Sequence, residues 1–179
     1  MSESSQAFQK LHDIAQRSKQ FAHELPQQAE VKTYWSGVGF SLAGNRYVVP
    51  MNELAEILNV PRFTQVPGVQ SWVKGVANVR GRLMPVLDLI LFLNRASSLH
   101  WKRRRLLVIE RDELYSGLVV DEVFGMQHFA TDCFVNELPG EYQMTRNYLK
   151  GAYDRDGEVW AIFSLHTLAQ DPRFLNVAS

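Results

Sequence analysis

Apolar positions along the chain change their spacing near residue 34. Before it, Phe8, Leu11, Ile14, Ala15, Phe21, Ala22 and Leu25 recur mostly at helical intervals with charged and polar residues between them. That pattern predicts an amphipathic helix that Pro26 ends, then a polar linker over residues 27–32. The helix either packs on its own domain or offers its apolar stripe to a partner. After residue 34 the period shortens to two. Val38, Phe40 and Leu42 alternate with small residues, Ala43-Gly44-Asn45 interrupts, and Tyr47 and Val49 resume, which predicts a hairpin. Three more hairpins follow. One turns at Asn78-Val79-Arg80-Gly81 between strands 72–77 and 83–87. The next turns at Arg111-Asp112-Glu113 between 106–110 and 114–120, and the last at 154–157 between 148–153 and 159–163. Strands rich in Val, Leu and Tyr between such turns make a mainly β body.

The hairpins repeat one plan. Lys74-Gly75 matches Lys150-Gly151, Gly81 matches Gly157 and Leu89 matches Leu165, each pair 76 positions apart. Upstream, Asn52-Glu53-Leu54 matches Asp121-Glu122-Val123 at a separation of 69. The difference requires seven extra residues in the second copy, expected between Phe124 and Gln143, where a longer loop costs little closure entropy. Two similar β lobes are therefore expected. The runs 89–93 and 165–168 fit a strand or a helical turn equally well at that length. Asp171-Pro172 predicts a short terminal helix or tail.

Composition narrows the function classes. The chain has 179 residues, enough for a real core, and 46% are hydrophobic, which excludes a disordered tail protein. Nineteen Lys and Arg balance nineteen Asp and Glu, so a dedicated nucleic-acid binder, which needs a basic excess, is disfavoured. The basic run Lys102-Arg103-Arg104-Arg105 after Trp101 reads as a charged linker between lobes. Its rival is a nucleic-acid-binding β-barrel that stacks bases on Trp101. A single cysteine, Cys133, excludes an internal disulfide and a Cys-rich zinc site. Residues 1–25 lack the apolar run of a signal peptide, and Leu89-Ile90-Leu91-Phe92-Leu93 is too short to span a bilayer. A cytoplasmic protein without direct membrane insertion is expected.

The chemistry of catalysis finds no foothold. Gly37-Val38-Gly39 lacks the third glycine and the lysine of a phosphate loop. His12, His23, His100, His128 and His166 are scattered without metal-ligand spacing. Cys133, beside Phe134 and Val135, reads as a buried small hydrophobe rather than a nucleophile paired with His128. Asp121, Glu122 and Glu137 read as solvated carboxylates at strand ends. No catalytic, metal or cofactor-binding residues are expected; a small-molecule or enzymatic barrel is the residual alternative.

The segment from Val73 through Asn78-Val79-Arg80-Gly81 to Asp88-Leu89 resembles the signature of the CheW-like domain family, a Gly-x-x-Asn-x-Arg-Gly hairpin followed by an apolar strand and Asp-Leu. Val48-Val49-Pro50 with Leu54-Ala55-Glu56-Ile57, then Gly117 to Val123, then Tyr148-Leu149-Lys150-Gly151 before Asp156-Gly157, extend the resemblance over residues 34–170. It implies a non-enzymatic adaptor built of two packed SH3-like β-barrel lobes over residues 34–175, with residues 1–33 an added helix and linker. It implies two partners, the regulatory domain of a CheA-type histidine kinase and the cytoplasmic tip of a methyl-accepting chemoreceptor, with assembly into membrane-associated arrays. The long N-terminal segment is similar to adaptors of twitching motility driven by type IV pili; a flagellar chemotaxis adaptor is the alternative. Leu54, Glu56, Ile57 and Arg80 are the expected protein-binding residues. Alternation groups Leu54 and Glu56 with Leu58, and Arg80 is placed to pair with Glu56. Asn78, Gly75, Gly81, Gly151 and Gly157 are expected to serve turn geometry.

Overall fold

A computed structural model describes residues 3–20, 33–111 and 114–178, with no side-chain detail at 3–8 and 18–20. The chain forms two compact units, Met1–Lys32 and Thr33–Ser179. In the first, α1 spans Glu3–Gln20, and Leu11 and Ile14 are exposed on it. The expected continuation to Leu25 and the stop at Pro26 lie outside the described residues.

Among the described residues of the second unit eleven strands form two sheets. β1 (Tyr34–Leu42), β2 (Asn45–Pro50), β8 (Glu122–Ala130), β9 (Phe134–Val135), β10 (Leu149–Arg155) and β11 (Glu158–Phe163) make one, in the order β8-β1-β2-β11-β10-β9. β3 (Glu56–Asn59), β4 (Val73–Val79), β5 (Arg82–Asp88), β6 (Arg105–Arg111) and β7 (Leu114–Val120) make the other, in the order β3-β6-β7-β5-β4. All four predicted hairpins are present. Ala43-Gly44, Arg80-Gly81 and Asp156-Gly157 each have positive φ at both positions, the geometry whose twist matches the flanking strands. Residues 112–113 of the third turn lie outside the described residues, although Arg111 and Leu114 pair across it.

The duplication is visible in the pairing. β2 runs parallel to β11 through Val48 and Ile162, and β7 runs parallel to β5 through Gly117 and Val86. Positions 48 and 117 are 69 apart and positions 86 and 162 are 76 apart, the two separations read from the sequence. The Asn78 and Asp154 side chains each accept a bond from the glycine N–H three residues on, both at 2.9 Å. The two ambiguous apolar runs are helical: α2 (Leu89–Phe92) is capped by Asp88 and α3 (Leu165–Ala169) by Ser164. Thr64 bridges Val76 as Val135 bridges Ala152, and 64 and 135 are 71 apart. Two of the seven extra residues therefore precede Val135, and five follow it, where a 3₁₀ stretch spans Gly140–Tyr148. Each sheet mixes the two copies, because β1 and β2 of the first join β8–β11 of the second.

The core has three parts. A central layer between the sheets contains Phe40, Tyr47, Val49, Leu87, Leu107, Ile109, Leu118, Ala161 and Phe163. The outer face of the five-stranded sheet buries Met84, Val86, Leu106, Val108 and Val119. The outer face of the six-stranded sheet buries Val48, Phe129, Tyr153, Trp160 and Ile162. Successive residues of β6 alternate between central and outer clusters, as period two requires. Among the described residues neither sheet is closed by ladder hydrogen bonds, since β3 and β4 are the end strands of one and β8 and β9 of the other.

The C-terminus is tied to the first copy. α4 (Pro172–Leu175) inserts Phe174 against Trp72 and Phe92, with ring centroids 5.8 and 5.5 Å apart. The Tyr148 hydroxyl donates to Asp171 at 2.5 Å and accepts from Arg173 at 2.7 Å. Hydrogen bonding from Arg173 holds the Asp171 carboxyl well below the usual carboxylate range, and burial pushes the Tyr148 hydroxyl up to about 12. Asp171 thus stabilises the fold above about pH 4 and ceases to as pH falls through its lowered value. The Tyr148 contribution is full below about pH 10 and lost between there and about 12. Thermal melts across pH should show a shallower acid limb for Asp171→Asn than for wild type; identical limbs would remove Asp171 from the clasp.

Gly75 and Gly151 sit at matching bulges with φ of 144° and 125°. A Cβ at Gly75 would lie 2.1 Å from the Thr64 carbonyl oxygen, whereas one at Gly81 would meet nothing within 4 Å. Gly75→Ala should therefore cost about 3 kcal/mol or more in urea unfolding. Gly81→Ala should cost about 1 kcal/mol, from backbone strain alone. Equal losses would contradict the close approach.

Candidate functional site

Two of the four expected binding residues, Glu56 and Arg80, meet at the opening of the five-stranded sheet. Glu56 stands opposite Val108 at the start of β3, one end of that sheet. Arg80 occupies the tip of the β4–β5 hairpin at the other end, with φ of 52°. Arg80 Nη2 reaches Glu56 Oε2 at 2.9 Å, so the ion pair spans the gap between the sheet's edges. The Arg80 side chain is 75% exposed, so solvent screening limits the pair to about 0–1 kcal/mol and its effect is to fix orientation. The six-stranded sheet has a parallel brace, Arg155 of the β10–β11 hairpin donating to Gln127 of β8 at 3.0 Å.

Ile57 faces the opposite side from Glu56 and is 39% exposed. Leu54 departs from the expected grouping. The chain makes a 3₁₀ turn at Met51–Glu53, and the ladder with β6 begins only at Glu56. Leu54 is consequently half-buried against the central layer, while Leu58 packs on the outer cluster. The structure brings Glu56 and Arg80 together, leaves Ile57 accessible on the other face and uses Leu54 for packing.

Sequence reasoning missed a buried charge network. Arg104 donates to both Asp88 oxygens, at 2.7 and 2.9 Å, and its side chain is 5% exposed. Its Nε lies 3.7 Å from Asp121, which also accepts from the Ala43 N–H at 2.8 Å and from the Ser97 hydroxyl. Asp121 is buried, contrary to the expectation of a solvated strand-end carboxylate, because β7 delivers it against the β1–β2 turn. Ala43 belongs to one sheet and Arg104 leads into the other, so the network joins them. At the opposite copy, Glu53 accepts from the Ser164 hydroxyl at 3.3 Å, the His166 N–H at 3.0 Å and Lys150 at 3.3 Å. A signal was available for Arg104: counting back by two from Val108 and Leu106 puts it in line with fully buried positions.

The basic run is thus divided rather than a uniformly solvated linker. Lys102 and Arg103 are exposed on a 3₁₀ turn, Arg104 is buried and Arg105 is half-buried. Trp101 packs edge-on against Phe63, with centroids 5.6 Å apart, and lies beneath the Arg104 guanidinium at 5.3 Å. It is not a free stacking platform, which removes the feature that carried the nucleic-acid alternative. Cys133 is exposed, not buried, because it ends a 3₁₀ turn that precedes β9. His128 meets the Ser36 hydroxyl at 2.7 Å, and His166 meets Arg111 at 2.8 Å. His23 lies outside the described residues. Among the described residues no group of three or more His, Cys, Asp or Glu is placed to hold a metal ion.

Residues 36–173 match the profile of the CheW-like domain. The chain is 48% identical to Protein PilI of Pseudomonas aeruginosa over 178 residues, covering 99% of both chains. It is 32% identical to Chemotaxis protein CheW of Bacillus subtilis over 94 residues, 52% of this chain and 60% of that one. The fold is similar to the crystal structure of the scaffolding protein TtCheW from Thermoanaerobacter tengcongensis, with a TM-score of 0.67 and 23% identity over 79% of this chain and 96% of that chain.

Removing one partner of a buried ion pair leaves the others uncompensated. Arg104→Met should destabilise the protein by about 3–5 kcal/mol in urea unfolding. Adding Asp88→Asn and Asp121→Asn to it should recover part of that loss. Arg103→Met should change stability by less than about 0.5 kcal/mol. Equal effects at 103 and 104 would contradict the network.

Proposed function

The chain belongs to the CheW-like domain family and is a chemosensory coupling adaptor of that kind; from this we propose that it joins a methyl-accepting chemoreceptor to a CheA-type histidine kinase in the system that controls type IV pilus twitching motility. The observation that carries the pilus assignment is the 48% identity to PilI over 99% of both chains, which includes the segment before the shared domain. The flagellar alternative has the shorter match, 94 residues.

The adaptor acts by binding alone. Each sheet, curled and braced across its opening by an arginine, serves as an SH3-like lobe. The surface around Arg80, Glu56 and Ile57, flanked by Leu54, receives the receptor's cytoplasmic tip. An oriented ion pair on one face of the edge strand β3 and an exposed aliphatic group on its other face suit a helical hairpin that meets the strand edge with a polar residue and an apolar one. A surface of the other lobe receives the kinase's regulatory domain. No helix among the described residues is long and apolar enough to cross a membrane, and recruitment to the membrane goes through the receptor. Signal passes as a coupling free energy of about 1–3 kcal/mol between the two contacts.

Arg80→Glu and Ile57→Asp should each lower affinity for the receptor's cytoplasmic fragment about tenfold in calorimetric titration. Both should stay within about 1 kcal/mol of wild-type stability, since both side chains are exposed. Leu54→Asp should lose stability instead. Unchanged receptor affinity in both surface variants would remove this site.

A further inference from the structure

A second surface is built at the far end of β3 from Glu56. Arg105 stands opposite Asn59, three residues and roughly 10 Å along the strand from Glu56. Where the start of β6 meets the start of β8, an open cleft of about 430 Å³ is lined by Lys102, Arg103, Arg105, Glu122, Val123 and Phe124. Three cations face one carboxylate. Elsewhere on this body Arg46, Arg82 and Lys150 each have a carboxylate within 3.3 Å. Among the described residues Lys102, Arg103 and Arg105 have none within ion-pair distance.

One of the cations is also held in place. The Arg105 guanidinium donates to the carbonyls of Arg103 and Arg104, both at 3.0 Å, which fixes its direction and ties down the turn that carries Lys102 and Arg103. Like charges concentrated this way repel one another, and folding gains nothing from the concentration. An anionic occupant relieves the repulsion. Beside the cations, half-buried Val123 and exposed Phe124 give the cleft an apolar wall. Charge and wall together fit an extended polypeptide with an apolar side chain among carboxylates.

A nucleic acid fits less well. Trp101 is turned inward, and the Phe124 ring has the Arg46 guanidinium over it at 5.4 Å and Trp160 edge-on at 5.6 Å, which leaves less aromatic surface for stacking a base than a single-strand binder offers. We propose that this cleft docks an acidic, apolar-containing segment of a partner protein, separately from the Arg80 surface and independently of the receptor and kinase assignments.

The test is fluorescence anisotropy at low salt with a short labelled peptide of Glu-Glu-Phe repeats. Its Gln-Gln-Phe counterpart and labelled oligothymidylate serve as comparison probes. The acidic peptide should bind saturably, and binding should weaken as salt shortens the screening length. Lys102→Glu with Arg103→Glu should reduce affinity about tenfold or more, and Arg80→Glu should leave it within about twofold. Lys102→Gln with Arg103→Gln, which removes charge without reversing it, should give a smaller loss in the same direction and covers the case in which the reversal disturbs folding. Absence of saturable binding, equal affinity for the Gln-Gln-Phe peptide, indifference to both double variants or tighter binding of oligothymidylate would each overturn the proposal.

Discussion

A strand whose neighbouring residues are both apolar and both buried must have a core on each side. β6 meets this condition through Leu106, Leu107, Val108 and Ile109, and β11 through Trp160, Ala161, Ile162 and Phe163. The shared layer between the sheets follows from that double burial. Fully burying a large apolar side chain contributes about 1.5–3 kcal/mol, so this layer dominates what holds the sheets together. Arg104, clasping Asp88 and close to Asp121, links the start of β6 to the turn between β1 and β2. A buried charge network of this kind adds little net stability against an apolar replacement, but it penalises any arrangement that leaves a charge unpaired. It acts as a registration device between the sheets.

A single well-registered body is what a coupling adaptor needs. Two partners bound to different lobes influence one another only if the lobes move little or move together, because coupling requires a contiguous packed path or a shared two-state element. The central layer supplies the path. Individual contacts can be weak, since tethering to a receptor raises effective concentration and repeated contacts multiply avidity. The proposed receptor surface accordingly sits at a hairpin tip and a sheet edge, where Arg80 and Ile57 are exposed.

Much of this was legible in the residues. Period-two alternation located the hairpins, and the separations of 69 and 76 reappeared as the parallel pairings β7–β5 and β2–β11. Turn chemistry was legible because Asn78 and Asp154 act within their own hairpins. What depended on distant chain was not. Leu54 falls out of the alternation because the ladder it would join starts two residues later. Cys133 is exposed because a 3₁₀ turn, not a strand, carries it. Arg104 looked like one of four equivalent cations, and its burial follows from carboxylates 16 and 17 positions away that only the fold brings together. The helix–strand ambiguity of 89–93 was resolved by Asp88, whose carboxylate both caps α2 and receives Arg104.

The central claim is that one body holds receptor and kinase at the same time through different surfaces. Co-sedimentation with vesicles displaying the receptor's cytoplasmic fragment, performed with the kinase in the presence and absence of this chain, tests it most directly. The account predicts that the kinase pellets with the vesicles in proportion to added chain and that excess isolated regulatory domain releases the kinase but not the chain. Release of the chain itself by the regulatory domain would show that the two partners compete for one surface, and would contradict the account.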